Sequence, residues 1–385
     1  FPQKWQIFDV PKSTCVWKHF FSAINKNKIS FHEFSVFLHH FSFEIHLITM
    51  SEESVQRTND DATQCKMSAV AHGYWTDPYL PAFKIRASES RKAPEIHRGY
   101  YTRVKGIWSI LVKTIEHLCQ DSGGKSSKFQ VVNLGAGFDT LFWRISDHLE
   151  KKSLLSKLNS FVDIDLSEVT AKKCMAVRKS KLLLGKIAGK NDGNGDDIEE
   201  VKFSRTDLHG ANYHILATNF TDLKTLESKL QECGGFSYDV PTIFIAECVF
   251  VYIDSGKTNS FLQWVSTKFH SSIAMINHEQ LNIFDRFGQV MLDNLAQRGC
   301  SLPGLEACRN KTSHLNRLLE NGWQSGYCWT MNEVYIYLPK DEVERIEKLE
   351  FLDERELVSQ LFEHYCVSFG WKSNADDKLE EIVFW

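Results

Sequence analysis

The chain has 385 residues, of which 43% are hydrophobic and 24% charged, with a formal net charge of −4 at pH 7. This is the balance of a soluble globular protein of one large or two smaller domains, and it excludes the basic footprint of a nucleic-acid binder or of a protein drawn to anionic membranes. The ten cysteines are scattered without a C-x-x-C, and no apolar run is long enough to span a bilayer, so reduced thiols in a cytoplasmic, monomeric, membrane-free protein are expected.

Residues 1–49 read as foreign to the rest. Nine of the 27 phenylalanines precede the first methionine, Met50. The stretch Phe31–Thr49 is broken by His32, Glu33, His39, His40, Glu44 and His46, too polar for a signal-peptide core. The expectation is a non-native or disordered extension before a natural start at Met50, with 50–385 as one domain. A genuine extra helix or strand pair is the alternative.

Glu52–Ala62 is polar and reads as a flexible lead-in, followed by a helix over Cys65–Tyr74 and an aromatic turn, Gly73–Pro81. A basic segment, Arg91–Lys105, leads into apolar residues at helical spacing over Ile107–Cys119. Asp121–Ser127 is a Gly/Ser/Lys loop.

Phe129–Arg144 then reads as a buried strand, a turn at Gly135 and Gly137, and a helix packed through Phe138, Leu141, Phe142 and Ile145. Glycines there let the backbone turn sharply and approach a ligand, over which the helix N-terminus aims its free N–H groups. A dinucleotide fingerprint would place a third small residue where Thr140 stands, which points to a nucleoside ligand without a pyrophosphate.

Beyond it the pattern alternates as in a doubly wound α/β sheet. Strands are expected at Ser160–Ile164, Tyr213–Ala217, Thr242–Val249 and Ile273–Asn277. Helices are expected at Ser167–Leu184, Leu223–Cys233 and Lys257–Phe269, with a polar loop at Gly185–Glu200. Further helices are expected around Phe284–Gln297, His314–Asn321, Asn332–Tyr337, Glu342–Leu349 and Glu356–Glu363, then a hairpin of Tyr365–Trp371 with Glu381–Trp385.

In such a sheet ligands bind at the carboxyl ends of the strands, where strand order reverses. Gly135, Asp165, Asn219–Phe220 and Glu247 fall there. Asp165 suits two ribose hydroxyls, Asn219 could accept from an adenine amine, and Phe220 could stack on its ring. Glu247 lies in an apolar run and needs a partner, either a ligand ammonium or a structural Arg or Lys. Arg91, Lys92, His97, Arg98, Arg103 and Lys105, with Lys66, form either a cationic pocket or a solvated face. No metal-ligand spacing is present.

The motifs CKMSAVAHGYWTDPY, RKAPEIHRGYYTRV, VVNLGAGFDTLFWR, IAECVFVY and NHEQLNIFDRFGQVM closely resemble the leucine carboxyl methyltransferase family, from about Asp61 onward. The resemblance implies a class I methyltransferase, with a Rossmann-like, mostly parallel seven-stranded sheet, added N-terminal helices and a helical insertion. It implies S-adenosylmethionine as cofactor. The implied substrate is the C-terminal leucine carboxylate of the type 2A protein phosphatase catalytic subunit, whose methyl ester regulates holoenzyme assembly. Lys66 and Arg103 would hold the cofactor's carboxylate, Gly135 and Gly137 would line it, Asp165 would take its ribose, and Glu247 would face its amino-acid end. The family has Asp-Leu where this chain has Asn219-Phe220. Its tRNA-modifying branch carries a long repeat domain after the methyltransferase, and a chain ending at Trp385 disfavours that branch.

A peptide α-carboxyl titrates at about 3.5 and needs no base at neutral pH. An Arg fork on the reacting oxygens would hold the ground state, so neutral donors, Tyr252 or Tyr100, are expected to hold that carboxylate. A small carboxylic acid as substrate, a nicotinamide oxidoreductase and a scaffold without turnover are the competing readings.

Overall fold

A computed structural model describes residues 56–83, 92–120, 128–188, 201–353 and 355–385. The expectations for residues 1–49, the loop Asp121–Ser127, Arg91 and most of the loop 185–200 fall outside them.

Strand β1 (Phe129–Leu134) is buried along its whole length. Phe129 and Val131 feed one hydrophobic core, and Val132 and Leu134 feed another. This is the pattern of a strand covered on both faces. Eight strands join it: β2 (Leu158–Asp165), β3 (Lys202–Phe203), β4 (Leu208–His209), β5 (Tyr213–Ala217), β6 (Thr242–Glu247), β7 (Ile273–Gln280), β8 (Ser325–Thr330) and β9 (Tyr365–Lys372). Their order is β3-β4-β5-β2-β1-β6-β7-β9-β8. The five strands β5, β2, β1, β6 and β7 are mutually parallel, while β9, β8, β4 and β3 join antiparallel. The seven-stranded sheet that the resemblance implies is therefore present, with β8 as a strand the sequence reading did not place, and the two-residue pair β3–β4 extends one edge to nine.

The helices are α1 (56–71), α2 (Pro94–Leu118), α3 (Leu141–Lys151), α4 (Ser167–Lys179), α5 (Lys181–Ile187), α6 (Leu223–Gln231) and α7 (Ser255–Lys268). Between β7 and β9 come α8 (Arg286–Gln297), α9 (Lys311–Leu319), α10 (Met331–Tyr337), α11 (Lys340–Glu347) and α12 (Arg355–Glu363). One sheet face packs against α2 through Ile107, Ile110, Leu111 and Ile115, and against α3 and α4. The other packs against α6 and α7 through Leu226, Leu230, Phe261, Leu262 and Val265.

Four expectations are corrected. The polar lead-in is helical from residue 56 and continues into α1. The helix expected over Ser167–Leu184 breaks at Ser180, which is extended and caps α5 by accepting from the Leu183 N–H at 3.3 Å. The run to Val249 stops being strand at Glu247, because Cys248 takes a left-handed φ of 57°. Strand β9 pairs with β7 and β8, not with Glu381–Trp385. That C-terminal segment packs instead, Phe384 edge-on to Phe369 with centroids 4.6 Å apart and Trp385 stacked on Tyr337.

Among the described residues no helix is long and apolar enough to cross a membrane, and the nine described cysteines are free thiols.

Candidate active site

The chain reverses its direction of sheet growth between β1 and β6, which are neighbours. Their carboxyl ends, Leu134 and Glu247, therefore flank the crevice that such a reversal creates. After β1 the backbone turns through Gly135 at φ 57° and Gly137 at φ 46°, the left-handed region that favours glycine. A Cβ on Gly135 would come within 2.6 Å of Val249 Cγ2, and one on Gly137 would strike the Asn59 amide. The Gly137 N–H donates to Asp165 Oδ2 at 2.7 Å, and the Phe138 N–H donates to Asn59 Oδ1 at 2.9 Å. Thr140 is buried and donates to Asp77 Oδ2 at 2.5 Å. The turn is thus held from both sides, with the Val249 and Asn59 side chains packed where Cβ atoms on its glycines would stand.

Asp165 ends β2 and accepts a second N–H, from Leu166, at 2.7 Å. Burial pushes its carboxyl upward, and the two N–H donors oppose that. One lone pair on each oxygen remains for a ligand hydroxyl.

Helices α1 and α2 carry Lys66 and Arg103 to Glu247. Lys66 Nζ lies 3.2 and 3.3 Å from the two carboxylate oxygens. Arg103 Nε donates to Oε1, and Nη2 donates to the Glu247 carbonyl at 3.3 Å. Burial disfavours the Glu247 anion, but the Arg103 guanidinium and then Lys66 outweigh it and hold the carboxyl well below the usual range. Of the two partners open to Glu247, the structure supplies the Arg and Lys. Two cations and one anion converge here with a net charge of +1, an arrangement complementary to a zwitterionic amino-acid end.

His97, Arg98 and Lys105 of the basic segment pair with other carboxylates instead. His97 is fully buried, with Nδ1 2.6 Å from Glu350. Arg98 reaches Glu347 at 3.8 Å and Lys105 reaches Glu342 at 3.2 Å. These residues fasten α2 to α11 and the residues after it.

Phenols gather beside the ion pairs. The Arg103 guanidinium sits 5.4 Å from the Tyr100 ring centroid. Tyr100, Tyr252 and Tyr365 lie within electrostatic reach of Arg103 and Cys248, and burial pushes each phenol above its usual value. All three are O–H donors at neutral pH. Cys248 Sγ is 3.3 Å from His278 Nδ1, and the His278 ring stacks on Tyr365 with centroids 5.5 Å apart. Burial raises the Cys248 thiol to about 11, so it is protonated too. The turn carrying Tyr252 is pinned by Glu279, which accepts from the Val251 N–H at 2.6 Å and pairs with Arg317 at 2.9 Å.

The two residues expected on the adenine side both have partners within the protein. Asn219 is exposed, but its amide oxygen accepts from the Thr221 N–H at 3.0 Å and the Thr221 hydroxyl at 2.8 Å, which leaves the NH2 as its outward group. Phe220 is buried and packs edge-on with Phe261 at 4.9 Å, so its ring is part of the core. Asn59, Tyr365, His278 and Glu279 were not singled out from the sequence. Asn59 lay in a stretch read as lead-in, and Tyr365 lies more than a hundred residues from Tyr252 and Tyr100.

The family model for leucine carboxyl methyltransferase matches residues 51–266. The chain is 39% identical over 333 residues to leucine carboxyl methyltransferase 1 of Bos taurus, covering 86% of this chain and 94% of that protein. It is 33% identical over 318 residues to the leucine carboxyl methyltransferase 1 homolog of Arabidopsis thaliana, covering 82% and 89%. It is also 29% identical over 332 residues to the tRNA wybutosine-synthesizing protein 4 of Homo sapiens, but covers only 46% of that protein. The match spans the glycine turn, Asp165 and Glu247, and the chain therefore belongs to the leucine carboxyl methyltransferase family, S-adenosylmethionine-dependent enzymes that methylate a leucine carboxyl group.

Proposed function

We propose that this protein methylates the α-carboxylate of the C-terminal leucine of the type 2A protein phosphatase catalytic subunit, in the cytoplasm, forming a methyl ester that regulates holoenzyme assembly. The observation that carries this reading is the part-buried Glu247 carboxylate bridged by Lys66 and Arg103 beside the glycine turn. Lys66 and Arg103 would bind the cofactor's carboxylate, and Glu247 would face its ammonium. Gly135 and Gly137 admit its close approach, and the free lone pairs of Asp165 take its ribose hydroxyls. Asn219 offers only its NH2 to the adenine side, and Phe220 contributes backbone alone.

When bound, S-adenosylmethionine supplies a methyl group activated by a positively charged sulfur. The leucine carboxylate is ionised at neutral pH, since its pKa is about 3.5, so the protein has no proton to remove from it. What remains for the chain is to place that carboxylate and exclude water. Tyr252 and Tyr100 stay protonated and would orient the carboxylate as neutral donors. A full countercharge on the reacting oxygens would stabilise the ground state and slow transfer. The phosphatase would engage through its C-terminal tail and the surface around its own active site.

The test is transfer of labelled methyl to the purified phosphatase catalytic subunit, intact and with its final leucine deleted. Base-labile label on the intact subunit alone is expected. Equal labelling of both forms, or label stable to base, would refute the assignment.

A further inference from the structure

Away from the crevice, at the edge carrying β3 and β4, three metal-ligating side chains meet. His209 on β4 and His214 on β5 are cross-strand partners, so their side chains stand on the same face. Their Nδ1 atoms are 3.2 Å apart. Two nitrogens bound to a tetrahedral zinc ion, each at about 2.0–2.1 Å, would be about 3.3 Å apart. Cys233, just past α6, completes the group, and the three candidate ligand atoms lie within 4.8 Å of one another.

The supporting contacts suit ligation. His214 Nε2 is 3.0 Å from the Gly234 carbonyl. A carbonyl can only accept, so Nε2 carries the proton and Nδ1 presents its lone pair towards His209. An outer carbonyl that fixes the tautomer in this way is the usual companion of a ligating histidine. Nearby, Lys229 is engaged by Asp207 at 2.6 Å. His209 is half-buried while His214 and Cys233 are buried, which gives an ion an entry path on one side.

We propose that His209, His214 and Cys233 form a binding site for a divalent zinc-class cation, with a fourth position open to water. Imidazole and thiolate donors select zinc over magnesium or calcium. Ligation forms the metal–sulfur bond and breaks the Cys233 S–H bond, releasing the proton to solvent. The site ties the two-residue strand β4 to the end of α6 and stands at the amino end of β5, opposite Asn219. It would stiffen the sheet edge without touching the reaction.

The experiment titrates metal-stripped protein with cobalt(II) alone and then with zinc(II) alone. Wild type should bind one equivalent of cobalt with a thiolate-to-cobalt charge-transfer band that zinc abolishes, and zinc should raise its Tm. Cys233→Ala should lose the band, and His209→Ala should lose at least about tenfold in affinity. His209 sits at a half-buried edge, so His209→Ala keeps the test open if Cys233→Ala does not fold. A wild-type spectrum without the band, or unchanged affinity in His209→Ala, would overturn the proposal.

Discussion

A single part-buried carboxylate gathers two cations at the crevice. Glu247 needs a partner because it ends an apolar strand, and that requirement was legible in the sequence. Which cations would answer it was not, because Lys66 and Arg103 are 181 and 144 residues away. Among the seven basic residues named from the sequence, spacing could not separate these two from His97, Arg98 and Lys105, which bind Glu350, Glu347 and Glu342. If Asp165 takes ribose hydroxyls, Asp165→Ala should weaken S-adenosylhomocysteine binding by about 1.5–3 kcal/mol. Titration calorimetry checks this, and unchanged affinity would remove Asp165 from the site. Tyr252→Phe should lower kcat while leaving cofactor affinity near wild type; a loss of affinity with kcat preserved would move Tyr252 away from the substrate.

At the scale of elements, the sharp turn at Gly135 and Gly137 was legible in the sequence, but its ceiling was not. Asn59 of α1 supplies that ceiling by accepting from Phe138. Polar composition made its segment look like a lead-in, although the Asn59 amide oxygen is spent on the turn. Gly135→Ala should destabilise the fold by about 1–2 kcal/mol from its left-handed backbone alone, with a further cost from the 2.6 Å approach to Val249. In denaturant melts, adding Val249→Ala should recover the steric part and leave the backbone part. Full recovery would contradict a strained turn. Strand β5 was legible to the residue because Tyr213–Ala217 is an apolar run. Strand β8 was missed because it lies at the sheet edge, and Ser325 and Tyr327 are exposed. Without β8, β9 had no visible partner except the C-terminal segment.

For the whole molecule, the alternation of strands and helices fixed the doubly wound sheet, since each parallel strand needs a crossover helix. Long-range pairing at the edges carries no such local signal. Several histidines sit in the core. Burial holds His214 and His314 down to about 4 from the ordinary 6.5, and His278 well below it. Each takes up a proton more readily when unfolded, so stability fully present above pH 6.5 is lost as pH falls towards 4. The urea midpoint should therefore fall between about pH 7.5 and about pH 5, and an unchanged midpoint would contradict neutral buried rings.

The receptor for the donor's amino-acid end is tested most directly by a crystal structure of the complex with S-adenosylhomocysteine. The expected result has the ligand carboxylate on Lys66 and Arg103, its ammonium towards Glu247 and its ribose on Asp165. A ligand bound elsewhere, with Glu247 still bridging both cations, would contradict the assignment.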